Sequence, residues 1–286
     1  MATARDLQRQ INTVKNQARV FSALQTVSSV KFRKAEARVK KARPYADNVE
    51  QMMRDVAGSA SGDLPLLVGR EVNRVAICTL TADRGLAGGF NAQVLRRTVS
   101  LRNEKDQNAL QVASGRKAVA FFRFRRVELA EVFTGFTDNP TYEKAREIGS
   151  TLTNLFEDEE ADEVYLVYNR FESALNQTPV VKRLLPVAEE GDEDEDNGAS
   201  YMEYVPDAET VLKRLVPRYV ETMVWQALLE GAAGEHGARM TAMKNATDNA
   251  NDLVRDLTLQ MNKARQAQIT QEILEIVGGA EALSAG

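Results

Sequence analysis

Between Ala238 and Val277 the chain runs forty residues without a glycine or a proline. With both helix breakers absent, that stretch can form one helix of about 60 Å, far beyond the roughly 11–12 residues of an average globular helix. Its apolar residues show how such a helix is covered. Met240, Met243, Ala250, Val254, Leu257, Met261 and Ala264 recur at alternating three- and four-residue steps, with only Thr247 polar among them, which is a coiled-coil seam. The seam then shifts to Ile269, Ile273, Ile276, Ala280 and Leu283. Upstream, Leu212, Leu215, Val216, Tyr219, Val220, Met223, Trp225 and Leu228 surround the helix axis, as in a foot packed on more than one side. Gly231, Gly234 and Gly237 weaken the helix locally without forcing it to stop.

The N-terminal segment has the same character. A 4-3 spacing from Leu7 passes through Ile11, Val14, Ala18, Phe21, Gln25, Ser28, Phe32, Ala35, Val39, Ala42, Ala46, Val49, Met53 and Val56, and only Gln25 and Ser28 are polar. Leu24 and Val27 lie one residue earlier, so the spacing predicts a slip of the seam there. The pattern continues beyond Pro44, which predicts a kink rather than an end. Two long terminal helices of this kind pair antiparallel. A helix from residue 207 to 286 outruns one from 3 to 57 by about 25 residues, or roughly 35–40 Å. The overhang still carries Ile269, Ile273 and Ile276, which no helix of this chain is left to cover. Another protein is expected on that row.

Between the helices the pattern changes. Val75–Leu80 reads as a buried strand, Asn91–Asn103 as a helix, Ala109–Ala113 as a strand and Arg116–Arg125 as a short helix. Glu131–Phe136 reads as a strand, Thr141–Phe156 as a helix, Val164–Tyr168 as a strand, and Val180–Val187 as an edge strand carrying Pro186. Alternating strands and helices imply a mainly parallel sheet in a three-layer α/β domain. The expected organisation is an N-terminal coiled-coil helix over 1–60, an α/β domain over 70–205 inserted between the helices, and a C-terminal coiled-coil helix over 207–286.

Composition removes several functions. The longest charge-free run is the eleven residues Gly85 to Leu95, too short to span a membrane, and the start of the chain has no apolar signal region. Cys78 is the only cysteine, which excludes an internal disulfide and suits a reducing compartment; mid-strand, it reads as a small buried hydrophobe. His236 is the only histidine, so His-rich metal sites are excluded, and it reads as a helix-surface or packing residue. Residues 1–43 carry eleven Lys/Arg against Asp6 and Glu36, a net +9, leaving −13 for the remainder of a chain of net charge −4. A basic helix invites a nucleic-acid reading, but no stacking aromatics or recognition fold accompany it. Two readings stay open: a solvated face, or a surface for an acidic protein partner. Acidic runs lie at Glu157–Glu163 and Glu189–Asp196, the second read as a solvated, mobile loop.

The turn Asp83-Arg84-Gly85-Leu86-Ala87-Gly88-Gly89-Phe90-Asn91 leaves a strand and opens a helix, where phosphate loops occur. It contains no Gly-x-Gly-x-x-Gly, and the chain has no Gly-x-x-x-x-Gly-Lys-Ser/Thr. The alternative is a tight turn whose glycines need positive φ. No cofactor is expected.

Two strings add a resemblance: Met243-Lys244-Asn245-Ala246-Thr247-Asp248-Asn249-Ala250 and Asn262-Lys263-Ala264-Arg265-Gln266-Ala267-Gln268-Ile269-Thr270-Gln271-Glu272. They closely resemble the C-terminal helix of the gamma subunits of F-type ATP synthases. The Asp83–Asn91 turn resembles the family's Asp-Arg-Gly-Leu-Cys-Gly loop, with Ala87 in place of the cysteine, and Lys31 matches a family lysine. The stretch Ser22-Ala23-Leu24-Gln25-Thr26-Val27 departs from the family's Lys-Ala-Met-x-Met-Val. The resemblance implies a rotating shaft in a proton-translocating complex, placed within a ring of alpha and beta subunits. The foot and α/β domain would rest with an epsilon subunit on the membrane c-ring, at the cytoplasmic face. It implies no covalent chemistry in this chain. Contacts with the catalytic subunits are expected at Lys31, Asp83, Arg84, Gly85, Arg239, Lys244, Arg265, Gln266, Thr270 and Glu272. The alternatives are a coiled-coil scaffold unrelated to ATP synthase, which leaves those strings unexplained, and an enzyme, which needs convergent polar groups.

Overall fold

The structure, a computed structural model, describes residues 3–57, 69–105, 109–187 and 208–284. The acidic run Glu189–Asp196, the expected domain limits at residues 60, 205 and 207, and the side chains of Val56, Leu212 and Leu283 lie outside the described positions. Two helices dominate: α1 (Ala4–Ala57), 54 residues, and α5 (Ala208–Ser284), 77 residues. Pro44 is inside α1 and Pro217 inside α5, and neither ends its helix. Between them come β1 (Val75–Leu80), α2 (Phe90–Glu104), β2 (Ala109–Ser114), α3 (Arg116–Phe124), β3 (Leu129–Phe133), α4 (Tyr142–Glu157), β4 (Glu163–Phe171) and β5 (Gln177–Leu185).

The chain divides into two compact units. The larger, Ser28–Arg239, is built on a five-stranded sheet of order β3-β2-β1-β4-β5, in which only β5 runs antiparallel. One face carries α4 and the start of α5, with Val164, Leu166, Ile148, Leu152, Val216, Val220 and Val224 in the main core. The other face carries α2 and α3, through Ile77 and Val167 against Val94 and Leu101, and Ala113 against Ala118 and Phe122. This is the three-layer arrangement that the alternation of elements predicts.

Three strands differ from the sequence reading; β4 runs over 163–171 rather than 164–168, paired with β5 as far as Phe171. β3 spans 129–133 rather than 131–136, because a register shift opposite Gln111/Val112 inserts a residue at its start and Gly135, at φ +89, turns the chain away after it. β5 begins at Gln177 because the turn before it closes tightly, with Ser173 N–H donating to Asn176 O at 3.1 Å. It ends before Pro186, and Pro179 is tolerated on an edge strand.

Within this unit α1 and α5 run antiparallel. A Cβ at Gly237 would lie 3.3 Å from the Phe32 ring, whereas farther along α1 Arg43 donates to Glu230 at 3.1 Å and Met53 joins the core near Val216. The smaller unit comprises Met1–Val27 and Met240–Gly286. There Leu7, Ile11 and Ala18 of α1 and Met243 and Ala250 of α5 are buried, as the 4-3 spacing predicts. The predicted slip does not occur. Ser28 is the buried position at 3% exposure and Val27 is exposed at 54%, so the seam holds its register through a polar residue.

Candidate functional site

The turn after β1 is fixed by its own acid. One carboxylate oxygen of Asp83 accepts from Gly135 N–H at 2.9 Å and from Thr137 N–H and Oγ1–H at 3.1 Å, and the other from Arg116 N–H at 3.1 Å. One side chain thus ties together the loops after β1, β2 and β3. Burial pushes the Asp83 carboxyl up, but these donors outweigh it and hold the group below its ordinary value. Of the three glycines in the turn, only Gly88 has positive φ, at +54; the non-glycine Leu86 has +61. The turn thus needs positive φ, as expected, at Gly88 and at Leu86.

The strand order reverses beside β1, so the crevice at the carboxyl ends of β1 and β4 is the natural ligand position of such a sheet. Here protein fills it. Asn169 donates from Nδ2 to Phe90 O at 2.8 Å, Asn91 accepts from Ala82 N–H at 2.8 Å, and Ala82, Ala87 and Phe90 pack with Ala238 of α5. Gly234 permits that approach, since a Cβ there would lie 2.9 Å from the Phe90 ring.

Arg239, buried at 8% exposure, faces into the chain. Its Nη2 donates to Glu235 at 2.5 Å and its Nε to Gly85 O at 3.1 Å. Burial raises the Glu235 carboxyl above its ordinary value even against Arg239. His236, 1% exposed, sits between Arg239 and Asp138 rather than on the surface. Lys31 pairs with Asp138. Lys31, Gly85 and Arg239 are therefore engaged inside the chain, while Arg84 is exposed. Cys78 is fully buried and its thiol is pushed up to about 12 by burial, as expected of a small core hydrophobe.

In the smaller unit, Lys244, Arg265, Gln266, Thr270 and Glu272 are all exposed. Thr270 donates to Gln266 O at 2.9 Å and Glu272 accepts from Gln268 at 2.9 Å, both within the helix. Around the last four stand Ile269, Ile273, Leu274, Ile276 and Val277, at 46–72% exposure. Every described side chain from 265 to 280 is exposed. An aliphatic row on a solvent-facing helix marks a surface made for another molecule.

The family model described as ATP synthase matches residues 3–283. The ATP synthase gamma chain of Rubrobacter xylanophilus is 67% identical over 290 residues, with 100% of both chains covered. This chain belongs to the ATP synthase gamma-chain family. The gamma chain of Moorella thermoacetica is 46% identical, covering 99% of this chain and 100% of the relative. Among solved structures, a chain of the Euglena gracilis mitochondrial ATP synthase (OSCP/F1/c-ring) aligns with TM-score 0.72 at 18% identity, over 99% of this chain and 95% of the other. That likeness is one of fold.

Sequence reading of this gamma chain missed Asp138, Thr137 and Glu235, and with them Arg38, which donates to Asn139 Oδ1 and Pro140 O at 2.7 Å each. Glu235 and Arg239 stand four apart on a helix, a spacing that signals a pair. Asp138 lies 107 residues from Lys31, and no local pattern links them.

Proposed function

We propose that this gamma chain is the rotating central shaft of a proton-translocating F-type ATP synthase, carried in single copy inside a ring of alpha and beta subunits. Its N- and C-terminal helices (1–60 and 207–286) form the shaft, and the α/β domain (70–205) forms the collar. Collar and foot rest with an epsilon subunit on the membrane c-ring, at the cytoplasmic face. No described helix is long and apolar enough to cross a membrane.

The exposed aliphatic row Ile269–Val277 is the observation that carries this reading. Such a row costs about 25 cal/mol per Å² of apolar surface left in water. Bearing against the catalytic subunits, it would recover that cost differently at each rotary angle, and differential contact is what shifts a partner between conformations. Arg265, Gln266, Thr270 and Glu272 flank the row as polar contacts, Lys244 is offered farther back on the same helix, and Arg84, with its neighbours Asp83 and Gly85, is offered on the collar. Lys31 and Arg239 act chiefly by holding helices to the collar. The chain itself performs no covalent chemistry: the crevice where an α/β sheet would take a nucleotide holds Phe90 and Ala238.

Co-expression with the alpha and beta subunits tests the proposal. Native mass spectrometry should give a 3:3:1 particle with ATPase activity, and replacing Ile269, Ile273 and Ile276 by Asp should weaken assembly. A particle that forms equally well with the three aspartates would refute it.

A further inference from the structure

The one histidine of this chain occupies a position that the shaft reading leaves unused. His236 is 1% exposed on α5, and two elements besides its own helix act on it directly. The β3–α4 loop supplies Asp138 and α1 supplies Lys31, while Arg84 and Asp83 of the turn after β1 act on its neighbours Asp138 and Glu235 respectively. Its own helix supplies Glu235 and Arg239.

The geometry fixes the tautomer. Arg239 can only donate, and its Nη1 lies 3.5 Å from His236 Nδ1, so Nδ1 is bare and accepts. The proton is on Nε2, which donates to the backbone O of Asp138 at 3.3 Å. A neutral imidazole thus links a cation of α5 to a carbonyl of the β3–α4 loop. Beside that carbonyl, Asp138 Oδ1 is buried and accepts no hydrogen bond from the described residues, 3.5 Å from the same Nε2.

We infer that neutral His236 is a latch fastening α5 to the β3–α4 loop, and that its protonation rewires the latch in mild acid. A proton on Nδ1 removes the acceptor that Arg239 uses and sets two donors and two positive charges face to face. The cationic ring is drawn from the Asp138 carbonyl to the unpartnered Oδ1, so that one carboxylate, whose Oδ2 already pairs with Lys31, must serve two cations. Burial works in the same direction, holding His236 below its ordinary 6.5, with Arg239 and Lys31 adding to it against the pull of Asp138. The sign follows from linkage. Between 6.5 and the lower folded value the unfolded chain binds the proton more readily, so stability is full above 6.5 and falls as pH drops toward the folded value. Glu235, raised by burial above its ordinary 4.5, has the opposite slope, so the histidine contribution is read as a difference between variants.

His236→Gln keeps a donor and an acceptor and cannot be protonated, whereas His236→Leu keeps volume and loses both. Melting temperatures of the full chain are compared from pH 8 to 5. The inference expects wild type and His236→Gln to coincide above 6.5 and wild type to fall below the variant as pH drops, with His236→Leu less stable throughout. Because the histidine is unique, its Cε1 resonance is read without assignment and should titrate below 6.5 from an Nε2–H ring. Parallel curves for wild type and His236→Gln would overturn the inference. If the glutamine variant fails to fold, the resonance decides alone: a midpoint at or above 6.5, or an Nδ1–H ring, overturns it.

Discussion

Removing the Arg239 guanidinium isolates the buried pair that holds α5 to the collar turn. In Arg239→Ala, Glu235 stays 1% exposed without its cation, and Gly85 O loses a 3.1 Å donor. The carboxylate escapes by taking a proton. From its ordinary 4.5, neutralisation at pH 7 costs at most about 3.4 kcal/mol at 1.36 kcal/mol per pH unit, an upper bound because burial already raises the carboxyl in the intact pair. The lost hydrogen bond adds about 1 kcal/mol. The sum, at most about 4 kcal/mol, lies within the 3–5 kcal/mol typical of a broken buried ion pair. For a chain of this size it corresponds to roughly 8–16 °C in melting temperature. At pH 5 the protonation cost falls to at most about 0.7 kcal/mol, so the deficit shrinks by up to about 2.7 kcal/mol. The double variant Glu235→Leu/Arg239→Met, which removes both charges and keeps apolar volume, should regain most of the loss at neutral pH. Thermal melting of full-length chains at pH 7 and pH 5 makes the comparison. A deficit under 1 kcal/mol, or one that does not shrink in acid, would refute the buried-pair account and leave Arg239 free for a partner.

Asp83→Ala should cost about 2–3 kcal/mol, since hydrogen bonds to a charged acceptor contribute about 1.5–3 each and water replaces part of the loss at the exposed Arg116 and Gly135. With the folded carboxyl below 3.8, that stability is present above 3.8 and lost as pH falls through the folded value; acid titration of the melting temperature checks the convergence of wild type and variant. Gly234→Ala should cost about 1–3 kcal/mol by overpacking, because its Cβ meets the Phe90 ring at 2.9 Å. A companion Phe90→Leu that relieves the strain would confirm the contact by a double-mutant cycle. Deleting residues 266–286 should leave the melting temperature of the remaining chain within what about 0.5 kcal/mol produces, because the described side chains there are all exposed. The same deletion should weaken assembly with the catalytic subunits.

Periodicity carried the long elements because each buries one continuous stripe. Leu7, Ile11, Ala18, Val39, Ala46, Val49 and Met53 are all buried at their 4-3 positions. The misread slip shows the limit of that signal. Leu24 and Val27 look like better seam residues than Gln25 and Ser28, yet a packed helix holds its register across one small polar residue. The exposed row at Ile269–Val277 was legible from helix lengths alone. The polar cluster was not, since Lys31, Gly85, Asp138 and Arg239 meet only once the sheet has folded. A basic residue on a helix looks the same in sequence whether it faces solvent or Glu235. The closed crevice was legible only as a failed glycine spacing, and the plug, Phe90 beneath Gly234, needed the structure.

Rotation of the collar tests the central claim most directly. Cys78, the one thiol, is buried and protonated, while Phe124 at the end of α3 is 89% exposed. Phe124→Cys therefore offers one reactive surface site for a bead or gold particle. With the catalytic ring fixed to glass through its alpha or beta subunits and Mg-ATP added, the account predicts continuous rotation in one direction, pausing every third of a turn as each beta subunit is passed. A particle that stays still, or only fluctuates, while the same complexes hydrolyse ATP would contradict it.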